Sequence, residues 1–165
     1  MVLSEENFTT LIYLVNHDKL ISRLAQRLKS EFNELQPPSW VRFVKTSVGN
    51  LEPPSDPDWW YVRAASILRK LALKQSLSVK ALSYQYGTRW RRGRRRERSV
   101  PGSAGLIRRI LQALEEAKLV QKKANLGRTL SPQGKSLIES VARELLQKQL
   151  EEQPNIKIYL EAIKA

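Results

Sequence analysis

The sequence predicts a mainly α-helical bundle with a winged helix-turn-helix core and a small two-stranded β hairpin. Three observations carry this. The stretch "PDWWYVRAASILRKLALK" reads as one helix with apolar residues on most of its circumference, the pattern of a central, buried helix. After it come two shorter segments of helical spacing, opened by Ser78 and Ser103 in the capping position. The run "LVQKKANLGRTLSPQG" then reads as strand, tight turn, strand and helix start. Helix, short helix, amphipathic helix, two-stranded wing, helix is the order of a winged helix-turn-helix. With 165 residues, 41% of them hydrophobic, the chain can bury a core of this kind as one domain over 1–165. That domain is expected to carry a basic arginine-rich loop at 88–101 and a C-terminal extension at 151–165.

From the N-terminus, "TTLIYLVN" is too short to assign, as strand or as helical turn. Asp18 to Phe32 reads as an amphipathic helix begun by His17 and Asp18, with Leu20, Ile21, Leu24, Ala25 and Leu28 inward. Pro37 and Pro38 end that region, and Trp40, Val41 and Phe43 suggest a short apolar segment docking on the core. Asp56 is the expected cap of the central helix, with Pro57 in its first position and Asp58 in the first turn. Ser78 and Gly87 enclose a short helix. Ser103 opens an amphipathic helix to about Ala117, with Ile107, Ile110, Leu111 and Leu114 inward. Asn125 to Gly127 supplies the wing turn, and Ser131 with Pro132 begins a last helix whose inward face is Ile138, Val141, Ala142, Leu145 and Leu146. The tail after Pro154 is apolar without a clear period.

The net charge is +13, and it is unevenly distributed. Residues 58–150 hold 21 of the 29 Lys and Arg but only 6 of the 16 acidic residues. Within them, "RWRRGRRRER" (Arg89 to Arg98) puts seven arginines beside one glutamate. Such a field favours a polyanion, because each neutralised phosphate releases condensed counterions. On the central helix, about 100° per residue brings Arg63, Lys70 and Lys74 into a stripe roughly 40° wide, while Arg69 lies about 120° away.

Other chemistries find little material. The chain has no cysteine and one histidine, His17, which reads as a helix-start residue. Zinc sites and histidine-based triads are therefore poorly supplied. No glycine-rich phosphate loop appears, the carboxylates do not cluster as an acid–base pair, and no catalysis, cofactor or small-molecule substrate is expected. The apolar run Leu11 to Val15 is too short to span a membrane and lacks a basic leader, so neither export nor membrane association is expected.

Four stretches resemble one known family: "PPSWVRFVKT", "DPDWWYVRAASILRKL", "LSYQYGTR" and "IRRILQALEEAKLVQKKANLGRTLSPQGKSLI". Together with the first helix, over residues 18–147, the chain resembles ribosomal protein nineteen of the archaeal and eukaryotic small subunit. The resemblance implies a helical bundle with a winged-helix core, seated on rRNA in the head of the subunit and supporting its maturation. It implies small-subunit rRNA and neighbouring ribosomal proteins as partners, a cytoplasmic, ribosomal location, and a monomer when free. Carried over position by position, it nominates Arg63, Arg69, Arg108, Arg109, Gly127 and Arg128 for the RNA surface, with Trp59 structural. The sequence departs from the family in its first fifteen or so residues, at Thr88 in place of a second glycine, and in the arginine content of Trp90 to Pro101.

The full set of expected RNA contacts is Arg63, Arg69, Lys70, Lys74, Arg89, Arg91, Arg92, Arg94, Arg95, Arg96, Arg98, Arg108, Arg109, Lys122, Lys123 and Arg128. In isolation the arginine run would be a solvated charge segment. Between folded elements of a basic domain, it is expected to order on RNA, with Trp90 as a stacking platform or an anchor to the core. Exposed lysines near a wing also serve edge protection, which is the plainer reading of Lys122 and Lys123. A winged-helix regulator of duplex DNA is the alternative, with dimerisation and base contacts from Arg108, Arg109 and Gln112. A free-standing RNA chaperone is a third, and it would not need a stable core.

Overall fold

A helix buried on most sides has to be surrounded, and α3 (Trp59–Lys74) is: Trp60, Ala64, Ala65, Ile67, Leu68 and Leu71 are shut off from solvent. The computed structural model describes residues 5–124 and 126–152. Among these are six α-helices and two small antiparallel sheets, a mainly α protein. Helix α1 (Glu5–Leu14) settles the unassigned N-terminal stretch as helix and buries Phe8, Leu11 and Ile12 against α3 and the last helix. Helix α2 (His17–Glu31) lies along α3 through Leu20, Leu24, Ala25 and Leu28. Its cap is Asn16, whose side-chain oxygen accepts from the N–H groups of Asp18 (3.0 Å) and Lys19 (3.3 Å).

The start of α3 differs from expectation. The Asp56 carboxylate accepts from the Asp58 N–H at 2.8 Å, closing a turn just upstream, and the helix begins at Trp59 rather than Pro57. Asp58 occupies the cap position, but its carboxylate is held by Lys29 at 2.7 and 2.9 Å and caps nothing. Of the apolar segment Ser39–Phe43, Val41 is buried and Trp40 meets Trp60 edge-on, with centroids 6.2 Å apart. Phe43 does not dock; it is 81% exposed. Trp59 is buried and edge-on to Trp60, whose indole N–H donates to the Leu35 carbonyl at 3.0 Å.

After α3 come strand β1 (Ser76–Leu77) and helix α4 (Val79–Gln85), capped by the Ser78 hydroxyl on the Ala81 N–H at 3.1 Å. Helix α5 (Ala104–Glu116) is capped by Ser103 and turns Leu106, Ile107, Ile110, Leu111 and Leu114 inward. The wing strands β4 (Val120–Lys123) and β5 (Gly127–Leu130) pair antiparallel, Val120 opposite Leu130. The expected two-stranded hairpin is in fact three-stranded, because β1 adds to the free edge of β5. Two residues are too few for a strand period to be read. Gly127, at φ +96°, has no room for a side chain: a Cβ there would lie 2.6 Å from the Leu77 carbonyl oxygen. Ser131 ties the wing to α6 (Pro132–Glu152), accepting from the Gly134 N–H at 3.0 Å and donating to the Lys118 carbonyl.

The stretch expected as an arginine loop at 88–101 is a second hairpin, β2 (Thr88–Arg92) and β3 (Arg95–Val100). Two residues connect the strands, with Gly93 first at φ +63°, the position a type II′ connection reserves for glycine. At the other end of the chain, α6 continues through Glu152 into the stretch expected as an extension; the remainder of 151–165 lies outside the described residues.

Burial separates two substitutions that look alike on paper. Leu68→Ala empties a sealed site on α3 itself and should lower stability by about 2–5 kcal/mol. Phe43→Ala should change it by less than about 0.5 kcal/mol, both read from denaturant unfolding curves.

Candidate nucleic-acid interface

Residues seven apart on a helix share a face two turns, about 10 Å, from one another. In α3 those two turns hold Arg63 and Lys70, and the side chain between them belongs to another element. The Tyr86 ring, just past α4, lies 4.1 Å from the Arg63 guanidinium carbon and 3.6 Å from the Lys70 Nζ, centroid to atom. Its hydroxyl shares a 2.8 Å hydrogen bond with Ser66, which stands between the two cations on α3. Both cations thus close on one aromatic ring, an attraction worth about 0.5–2 kcal/mol for each.

The environment works against their charge. Burial pulls the Arg63 guanidinium below its ordinary value, opposed only by Tyr86. Burial likewise lowers the Lys70 ammonium, and the charges of Arg63, Lys74 and Arg69 push it further the same way. The Tyr86 hydroxyl is raised by its own burial, against the opposing influence of Ser66 and Arg63. Among the described residues, no carboxylate pairs with Arg63 or Lys70. Lys74, in the last turn, is exposed. Arg69 is partly buried, and its Nε is enclosed without a hydrogen-bond partner.

The hairpin starts immediately beyond Tyr86 and Gly87, and its base is fixed by a buried polar knot. Thr88 donates its hydroxyl to Ser47 Oγ at 2.8 Å, and Ser47 donates to the Pro101 carbonyl at 3.2 Å. Ser83 on α4 donates to the Gly102 carbonyl at 2.6 Å, and the Gly102 N–H returns a bond to the Ser83 carbonyl at 2.9 Å. A threonine at 88 is therefore used where the family pattern suggests glycine. Beyond this base Arg89, Arg91, Arg94, Arg95, Arg96 and Arg98 are exposed. Arg92 is partly buried and donates to the Arg96 carbonyl at 2.8 and 3.2 Å. Arg89 meets Glu97 at 3.5 Å at the surface, a pair worth little. Trp90 is half-exposed.

Arg108 and Arg109 stand exposed on the outer face of α5, and Lys122 and Lys123 stand exposed on β4. Arg128 is different. Its Nε sits 2.8 Å from Glu115 Oε1, with the two side chains 17% and 28% exposed, so its charge joins β5 to α5. Of the expected set, the fold brings Arg63 and Lys70 onto one ring and strings the arginine run directly beyond it. Arg128 is turned to a structural partner. Sequence reasoning missed Tyr86, Ser66 and Ser47; only the position of Tyr86 within "LSYQYGTR" marked it at all.

Lys70 predicts a pH signature. A base whose folded-state value lies below its unfolded value is bound to fewer protons when folded, so stability rises with pH between the two. Unfolding free energies of the wild type, minus those of Lys70→Met, should therefore climb as pH rises towards about 10.5, where the unfolded lysine titrates. A flat difference would contradict the desolvation described above.

Residues 11–148 match the family Ribosomal protein S19e. The small ribosomal subunit protein eS19 of Aeropyrum pernix is 42% identical over 144 residues, 87% of this chain and 94% of that protein. The protein of the same name from Thermoplasma volcanium is 41% identical, over 85% of this chain and 92% of its own. Small ribosomal subunit protein eS19A of Schizosaccharomyces pombe is 35% identical, over 83% and 94%.

Proposed function

Because the chain belongs to the ribosomal protein S19e family, structural constituents of the small ribosomal subunit and not enzymes, we propose that it binds small-subunit rRNA and supports maturation of that subunit. The observation that carries this is a pair of α3 cations with no carboxylate partner among the described residues, followed along the chain by a mostly arginine ribbon. Two partly buried α3 cations without carboxylate partners adjoin a ribbon of exposed arginines, within a chain of net charge +13. Desolvated, unpaired cations cost free energy in the isolated protein, and phosphate oxygens relieve that cost. Guanidinium suits the task, since it stays charged and can bond two phosphate oxygens at once.

On this reading Arg63, Lys70 and Lys74 contact phosphates from α3, with Arg69 reaching out from its own side of the helix. Arg89, Arg91, Arg92, Arg94, Arg95, Arg96 and Arg98 do so from the hairpin. Arg108, Arg109, Lys122 and Lys123 extend the contact along α5 and the wing. Arg128 acts at one remove, holding the wing to α5. The protein recognises folded RNA by shape and backbone, in the head of the cytoplasmic small subunit beside other ribosomal proteins. A rigid surface of this sort lowers the free energy of one RNA arrangement relative to its competitors.

We read α3, β1, α4, α5, β4 and β5 as a winged helix-turn-helix, supported by their order and by the strand order β1-β5-β4. Duplex-DNA regulation, the alternative use of such a core, is not favoured: an arginine hairpin replaces the short turn that would lead from α4 into the recognition helix α5.

Replacing Arg91, Arg92, Arg94, Arg95 and Arg96 with alanine should flatten the plot of log affinity for small-subunit rRNA against log salt. The slope should fall by up to about 4, at roughly 0.7–0.9 per lost phosphate contact. The circular dichroism of the body should not change. An unchanged slope removes the ribbon from the interface, and absence of the protein from small subunits in a native gradient removes the function.

A further inference from the structure

The register of the arginine hairpin decides which of its side chains share a face. Residues directly opposite in an antiparallel pair project to the same side, and neighbours along a strand alternate. Trp90 pairs with Arg98, and Arg92 with Arg95, so Arg92, Arg95 and Arg98 lie on one face. Arg89 and Arg91 lie on the other, which the Arg89–Glu97 contact confirms, since Glu97 alternates with Arg98. Between Trp90 and Arg92 the register shifts, leaving Arg96 and Glu97 together opposite Arg91. A bulge of this kind turns the extra residue to the side of its neighbour and adds Arg96 to the second face. The result is three arginines on each side, with Arg94 at the tip.

Both sides are open. The two strands make their substantial contacts with each other, and the body holds them at the base through Ser47, Gly49 and Thr88. A ribbon lying flat on a single duplex needs cations on one side only, and a cation turned to solvent adds little affinity there. A stem with a fixed base and a free length, cationic on both sides although Glu97 offsets one arginine of the second, fits between two phosphate backbones. The A-form major groove is too narrow and deep for side chains to read, so these backbones belong to separate segments rather than to the two walls of one groove.

From this, and resting on the reading of RNA as the partner, we infer that the hairpin is a two-faced bridge which inserts between two RNA segments and holds both at once. Its partner is thus a cleft or junction of helices rather than one duplex.

The test uses the full chain and two short RNA duplexes of unrelated sequence, one carrying a fluorescence donor and the other an acceptor. Wild type should produce energy transfer between them. Arg95→Ala/Arg98→Ala takes two of the three arginines from one face and Arg89→Ala/Arg91→Ala two of the three from the other, leaving Arg92 and Arg96 in place. Both should still bind a single labelled duplex by anisotropy, with transfer falling to that of the RNA alone. Arg143→Ala/Lys148→Ala removes the same charge from α6, outside the proposed RNA surface, and should keep the transfer. Loss in one face variant but not the other overturns the bridge in favour of a one-sided contact. Equal loss in the α6 variant overturns it in favour of diffuse attraction. Duplex binding by wild type without transfer overturns the bridge alone, whereas no binding of RNA overturns the proposed function with it.

Discussion

The contact between Tyr86 and the two α3 cations meets a constraint that the rest of the molecule has to satisfy. Helix α3 is the core of the protein and also carries its first charged stripe. A helix enclosed on most sides has little room for Arg63 and Lys70, and the ring of Tyr86 gives both a partner without neutralising either. The hydroxyl bond to Ser66 fixes the ring against the helix. The surrounding core makes this arrangement affordable. Trp60, Leu68 and Leu71 are sealed, and α2 and α1 hold α3 from other sides, so the packing determines where the cations stand. On the proposed function, a phosphate arriving there would find positive groups already stripped of part of their water.

The same residue connects the packing to the arginine hairpin. Tyr86 ends α4, the hairpin follows at once, and the Ser47, Ser83 and Thr88 bonds tie its base to α4 and to the segment before α3. Position and direction of the ribbon are thus inherited from the core, while its arginines are held only within the ribbon, Arg92 by the Arg96 carbonyl and Arg89 by Glu97. On the far side, the Arg128–Glu115 pair does for the wing what the polar knot does for the hairpin. The charged surface is held at three points by interactions that are themselves largely enclosed.

Much of this was legible in the sequence, for identifiable reasons. The serine caps at 78, 103 and 131 were readable because capping is a local bond between a hydroxyl and an N–H two or three residues on. The α3 stripe was readable because helical geometry alone puts Arg63 and Lys70 on one face. Tyr86 was not, because its place between them depends on how α4 returns to α3. The arginine strands were hidden since a run without apolar alternation gives no strand period, and the Gly93 turn was the one local sign. Neither Asp56 nor Asp58 caps α3 with its side chain, because Asp56 closes a turn upstream and a distant residue, Lys29, holds the Asp58 carboxylate. Arg128 looked like a surface cation until the fold brought Glu115 to it, thirteen residues away in sequence.

The claim at the centre is that α3 presents its charges at a fixed geometry, and that geometry as well as charge contributes to affinity. Binding of small-subunit rRNA by Tyr86→Ala and Tyr86→Phe tests it most directly, as neither changes the net charge. The account predicts that Phe binds within about threefold of wild type, while Ala is weaker by about tenfold or more, a loss of about 1.4 kcal/mol, with an unaltered salt slope. Equal affinity of Ala and wild type, with the fold intact, would contradict it and leave undirected charge as the whole basis of binding.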